Sequence, residues 1–134
     1  MSEPENVQLI QSLYAAFGRG DIPALLEGLS DSVEWTNPLP KDIVPPGGLW
    51  VGRQGVADFF TAVGGSLEFL VFEPRDFVAQ GDKVIVLGYY EARVKSTGKT
   101  YSSEWVMAWT IDNGQVVKFR EYADTAAELA AFKP

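Results

Sequence analysis

One glutamate in the last third of the sequence stands where an apolar side chain belongs. From Tyr101 to Ile111 every second residue is mostly large and apolar (Tyr101, Ser103, Trp105, Met107, Trp109, Ile111), and the alternation resumes after Asn113-Gly114 with Val117, Phe119 and Ala123. Side chains two apart on a strand share a face. Glu121 therefore points with Phe119 and Ala123, while Lys118, Arg120 and Tyr122 take the solvent face. A carboxylate among aromatics has either a buried partner, for which Arg53 and Arg75 are candidates, or a task. Without a partner, burial raises its pKa and suits it to general-base chemistry.

This face assignment depends on the hairpin register. A two-residue Asn113-Gly114 turn would pair Asp112 with Gln115 and set Trp109 beside Lys118. A three-residue loop with Gly114 as a left-handed bulge instead pairs Ile111 with Gln115, Trp109 with Val117, Met107 with Phe119 and Trp105 with Glu121. The second register is expected, because it sets apolar against apolar along most of the ladder and a one-residue slip turns the whole set over.

The remaining chemical candidates each have a structural reading beside the functional one. Asn37, just before Pro38, either lines a pocket or bonds its own loop. Tyr90 could donate a proton, although a phenol is a weaker acid than a carboxylic acid. Trp35, Trp50, Phe59, Trp105, Met107 and Phe119 are the expected apolar wall, with Trp50 serving as loop anchor or lid. Asp124 reads as a helix cap. Arg75-Asp76 and Glu91 with Arg93 read as solvated sheet-face charges. Gly52-x-x-Gly55 is too short for a phosphate loop, and the helix it opens carries no lysine for a phosphate.

Composition narrows the chemistry further. With 134 residues, 46% of them hydrophobic, the chain is expected to form one domain, spanning 1–134, with a real core. It contains no cysteine and no histidine, which removes disulfides, thiol nucleophiles, imidazole ligands and any Ser-His-Asp triad. A metal site would have to be all oxygen. We expect neither metal nor cofactor. A net charge of -7 with no basic stripe argues against nucleic acid. No apolar run is long enough for a membrane span, and the acidic start is unlike a signal peptide, so a cytoplasmic location is expected.

The elements that position these residues can be read from periodicity. Val7, Ile10, Leu13, Tyr14 and Phe17 mark a helix over 5–17, stopped by Gly18-Arg19-Gly20. Asp21 caps a short helix over 24–29, and 33–37 alternates as a strand. Residues 38–52 hold four prolines and three glycines, which excludes a helix or a central strand. Val56, Phe59, Phe60 and Val63 mark a third helix over 53–63, ended by Gly64-Gly65. Strands follow over 68–79, 83–95, 100–111 and 115–123, and Thr125-Ala-Ala-Glu128 reads as a capping box opening a last helix. This order predicts an α+β fold in which a bent mixed or antiparallel sheet wraps around three helices and leaves a cone-shaped hollow.

Four segments carry a family resemblance: Tyr14-Ala-Ala-Phe-Gly-Arg-Gly-Asp21, Val33-Glu-Trp-Thr-Asn-Pro38, Gly52-Arg-Gln-Gly-Val56 and Phe119-Arg-Glu-Tyr-Ala-Asp-Thr125. They resemble the SnoaL-like branch of the nuclear transport factor 2-like and ketosteroid isomerase superfamily over essentially the whole chain. That resemblance implies the cone fold strongly and chemistry weakly, since isomerases, cyclases, hydrolases and binding modules share it. Ketosteroid isomerases work with a tyrosine, an aspartate base and an aspartic acid that stays protonated in its apolar site. Those groups fall on Leu13, Asn37 and Met107, so all three are missing. Tyr14 is one residue away, about 100° around a helix, and is not counted. Limonene epoxide hydrolase fits better: its water-holding tyrosine and asparagine fall on Trp35 and Asn37, and its water-activating aspartate on Glu121. Its arginine and proton donor fall on Gly88 and Tyr90. Many SnoaL-like relatives place a histidine at Met107.

Two readings follow. In the first, the chain binds a small apolar or cyclic molecule and, if an enzyme, is a cofactor-independent isomerase, cyclase or epoxide-hydrolase-like hydrolase with Glu121 as base, Asn37 orienting and Tyr90 donating. In the second, it is a non-catalytic ligand-binding or homodimerising module whose sheet face pairs with another copy through Leu87, Tyr89 and Val106. Proton carriers inside the cone separate the two.

Overall fold

A computed structural model describes residues 2–134. Helix α1 (Glu3–Gly18) begins with a reciprocal cap: the Ser2 hydroxyl accepts from the Glu5 N–H at 3.2 Å and the Glu5 carboxylate accepts from the Ser2 N–H at 3.0 Å. Helix α2 (Ile22–Glu27) is capped by Asp21 and gives up Leu29, placed in this helix by its sequence, to strand β1 (Leu29–Asn37). A proline-rich loop then leads to β2 (Gly48–Val51), which pairs antiparallel with β1. The sequence pattern does not predict this strand. It forms after the last proline of the loop, at a sheet edge where few ladder bonds are required.

Helix α3 (Gly52–Ser66) continues through Gly64-Gly65, where the sequence suggests a stop. Neither glycine takes the left-handed conformation that would break the helix. Lys95 closes the helix end instead: its ammonium donates to the Gly64 carbonyl at 2.6 Å and its N–H to the Ser66 carbonyl at 2.9 Å.

Strands β3 (Leu67–Gln80), β4 (Lys83–Val94), β5 (Thr100–Asp112) and β6 (Gln115–Ala123) form an antiparallel meander, followed by α4 (Thr125–Phe132). Together with β1 and β2 they make a six-stranded sheet in the order β2-β1-β6-β5-β4-β3, with β1 parallel to β6. Two bulges in β3, at Leu70 and Arg75, bend the long edge strand. The mixed α+β fold is thus a curled, unclosed sheet with helices on its concave side, as expected. Among the described residues no helix is long and apolar enough to cross a membrane.

The β5–β6 register corrects the sequence reading while leaving its face assignment intact. Asn113 and Gly114 both have positive φ, 51° and 74°, and form a two-residue turn that pairs Asp112 with Gln115. Val117 is then an extra residue on β6, so Val116 rather than Val117 enters the core. Beyond this bulge Trp109 pairs with Phe119, Met107 with Glu121 and Trp105 with Ala123. A turn-level conflict between apolar and basic rows is resolved one step into the strand.

Candidate functional site

The concave face encloses a hollow of about 70 Å³, room for several waters or about one ring. Its wall is aromatic, built by Tyr14 and Phe17 from α1, Phe59 and Phe60 from α3, and Trp109 and Phe119 from the sheet. Of the expected wall residues, Trp35, Phe59, Met107 and Phe119 line it, and Trp50 and Trp105 do not. Trp105 lies one layer behind, stacked on Tyr14 and Phe72 with ring centroids 6.0 and 5.4 Å away. Gly88, its cross-strand partner, makes room for it, since a Cβ there would run into the ring. Trp50 anchors the edge hairpin: its indole N–H donates to the Pro46 carbonyl at 3.0 Å and the Lys41 ammonium covers its ring at 3.7 Å.

Glu121, Asn37 and Tyr90 all line the hollow. Glu121 is 7% exposed, and neither candidate arginine reaches it. Arg53 donates to the Leu29 carbonyl and pairs with Asp31, while Arg75 pairs with Glu73 at the surface. Its one hydrogen bond among the described residues comes from Asn37 Nδ2, 3.1 Å from Glu121 Oε2. Asn37 Oδ1 accepts the Leu39 N–H at 3.1 Å, so the loop bond turns the amide's donor side toward the carboxyl. Both sequence readings of Asn37 describe the same side chain.

Sequence reasoning misses Glu128. The Thr125-Ala-Ala-Glu128 pattern assigns it to a capping box, but Asp124 is the cap of α4, accepting from the Ala127 N–H at 3.0 Å, and Thr125 is already inside the helix. Glu128 is only 3% exposed and lines the same hollow as Glu121. Ser103 and Thr97 hold α4 in place: the Ser103 hydroxyl accepts the Asp124 N–H at 2.9 Å, and the Thr97 hydroxyl donates to the Ala131 carbonyl at 2.7 Å. The remaining α4 residues are nearly all Ala, Leu or Phe, so no polar face marks which way Glu128 points.

These two carboxyls dominate the electrostatics. Burial, reinforced by the negative charge of Glu128, pushes Glu121 up to about 8. Burial pushes Glu128 up to about 7, with the Tyr101 and Tyr90 hydroxyls pulling it partly back. The Tyr90 hydroxyl donates to Glu128 Oε1 at 3.4 Å; the Tyr101 hydroxyl leans on the same carboxyl but falls short of full hydrogen-bond geometry. Tyr90 itself is driven far above the ordinary phenol range, by burial first and then by the carboxyls, so it keeps its proton. Tyr14, not counted as the isomerase tyrosine, lines the hollow; its hydroxyl donates to Met107 Sδ and accepts from Trp109 Nε1, both at 3.1 Å. Among the described residues no lysine or arginine lines the hollow.

The family model of the SnoaL-like domain matches residues 10–119. The chain belongs to the SnoaL-like family. Solved structures match this SnoaL-like chain over essentially its whole length. An NTF2-like protein from Burkholderia xenovorans LB400 is 38% identical with a TM-score of 0.90, the match covering 99% of each chain. An NTF2-like protein of unknown function from Burkholderia pseudomallei K96243 is 29% identical over 100% of each chain, TM-score 0.89. TerC, co-crystallised with polyporic acid, is 29% identical over 97% of this chain and 99% of its own, TM-score 0.82. A comparison with curated proteins gives no match.

Proposed function

We propose that this SnoaL-like chain takes a small, largely apolar, ring-shaped molecule into the hollow and moves a proton on it, with Glu121 as general base and Glu128 as the matching acid. The observation that carries this reading is the pair of buried carboxyls lining one aromatic cavity, with no cation among the described lining residues to neutralise them. Folding tolerates such groups only by keeping them protonated or by using them. With folded values of about 8 and about 7, the pair holds roughly one proton between those pH limits. One carboxyl can then accept a proton while the other donates. Glu128 replaces Tyr90 as donor, because a phenol held far above its usual pKa releases no proton. Asn37 orients Glu121, and Tyr90 orients Glu128. The co-crystal of TerC with polyporic acid supports a small organic ligand in this fold.

A panel of one-ring ketones and epoxides in heavy water tests this by NMR. Protein-dependent exchange at an acidic carbon, or opening of an epoxide, should disappear in Glu121→Gln. Rates equal to buffer for the whole panel, or full activity in Glu121→Gln, would refute the catalytic reading.

We propose the second reading, a module that pairs with another copy, for the convex sheet face. Leu87 and Tyr122 are 41% and 49% exposed there, beside Val106 and Tyr89. Sedimentation as a monomer at micromolar concentration would remove it.

A further inference from the structure

Building on the reading of the hollow as a ligand site, we infer that it selects a protonated amine carried on a single ring, over neutral and anionic molecules of the same shape. The polar groups facing Glu121 come from five elements, Tyr14 from α1, Asn37 from β1, Tyr90 from β4, Tyr101 from β5 and Glu128 from α4, while α2, α3 and β3 add only apolar side chains to the lining. None is a cation. Most of their donors are engaged inside the wall: one Asn37 amide N–H on Glu121, the Tyr90 hydroxyl on Glu128 and the Tyr14 hydroxyl on Met107. The Trp35 indole N–H and the Tyr101 hydroxyl are buried without a full hydrogen-bond partner. What the cavity offers a guest is carboxyl oxygen and the faces of aromatic rings.

Both features favour positive charge. Ring faces attract a cation electrostatically, and more strongly when it is desolvated. An ammonium group brings three donors to carboxyl oxygens that receive few. It also supplies the missing counter-charge, converting an uncompensated buried acid into an ion pair. A carboxylate guest would add a third acid to a hollow lined by no cation among the described residues, and a neutral guest would leave the acids uncompensated once they ionise. Binding the cation must expel protons from the carboxyl pair, so it should tighten as the pH rises.

The test uses benzylammonium, benzyl alcohol and benzoate, measured by calorimetry and NMR chemical shifts on the full-length protein at pH 6, 7 and 8.5. Benzylammonium should bind at least about tenfold more tightly than benzyl alcohol at pH 8.5, release protons on binding, and weaken toward pH 6, with benzoate showing no binding. In Glu121→Gln and in Glu128→Gln, each checked for folding by circular dichroism, the preference should shrink toward unity. Benzyl alcohol binding as tightly as benzylammonium would overturn the charge inference and leave the ligand site standing. Failure of all three to bind would overturn both.

Discussion

Raising the pH from 5.5 to 8.5 should destabilise this protein, and the loss should shrink in Glu121→Gln and nearly vanish when Glu128→Gln is added. A carboxyl whose pKa is raised by folding keeps its proton in the native state where the unfolded chain has already released it. Its contribution is complete below the unfolded value, about 4.5, and is lost as the pH climbs through the folded value, about 8 for Glu121 and about 7 for Glu128. Over the part of this window below pH 8, Glu121 alone amounts to about 3 kcal/mol at about 1.4 kcal/mol per pH unit. Glu128 adds at most about 2 kcal/mol, because the two charges are coupled. For a chain of 134 residues, a loss of about 3 kcal/mol corresponds to a fall in Tm of about 10 °C. The background is unusually clean. The chain has no histidine and no cysteine, so only the α-amino group ordinarily titrates in this window, and it is common to wild type and variants. Thermal unfolding followed by circular dichroism at constant ionic strength is the assay. A Tm that is flat from pH 5.5 to 8.5, or one that falls equally in the double variant, would rule out this linkage.

Three further substitutions probe the surrounding structure. Asn37→Ala should cost about 1–2 kcal/mol in urea unfolding, because it strips the donor from Glu121 and the acceptor from the Leu39 N–H at once. Gly88→Ala should cost about 1–3 kcal/mol and alter the near-UV circular dichroism, since its methyl group would force the Trp105 ring off its seat. Ser103→Ala frees the start of α4; stability should fall by about 1 kcal/mol, and the Glu128 titration should move down from about 7 as the carboxyl gains access to water.

Period-2 alternation orients Glu121 correctly because beyond the bulge the ladder differs from the expected one by two residues, an even shift that leaves the faces there unchanged. The register itself is not legible. The sequence offers two consistent ladders, and the chain uses a third, placing its bulge at Val117 inside the strand rather than in the turn. Gly64-Gly65 misleads because glycine's freedom is an option, and Lys95 from the following hairpin closes the helix end through contacts remote in sequence. Glu128 is invisible for a related reason: the rest of α4 is nearly all apolar, so its orientation comes from Ser103 on β5 and Thr97 in the β4–β5 turn. Tyr14 reaches the hollow from the apolar stripe it shares with Leu13 and Phe17 on α1, one residue from the position matched to the ketosteroid isomerase tyrosine. Trp105 falls on the expected face but in a different layer, since depth behind Tyr14 and Phe72 is a tertiary property.

Beneath both the proposed chemistry and the pH dependence lies one requirement: two carboxylic acids inside an aromatic hollow hold protons at neutral pH. Carbon-13 NMR of glutamate-labelled protein, with Glu121→Gln and Glu128→Gln to assign the side-chain carboxyl signals, measures it directly. Two signals should inflect near 8 and near 7, each moving when the other residue is replaced. Every glutamate titrating near 4.5, the ordinary carboxyl value, would disprove it.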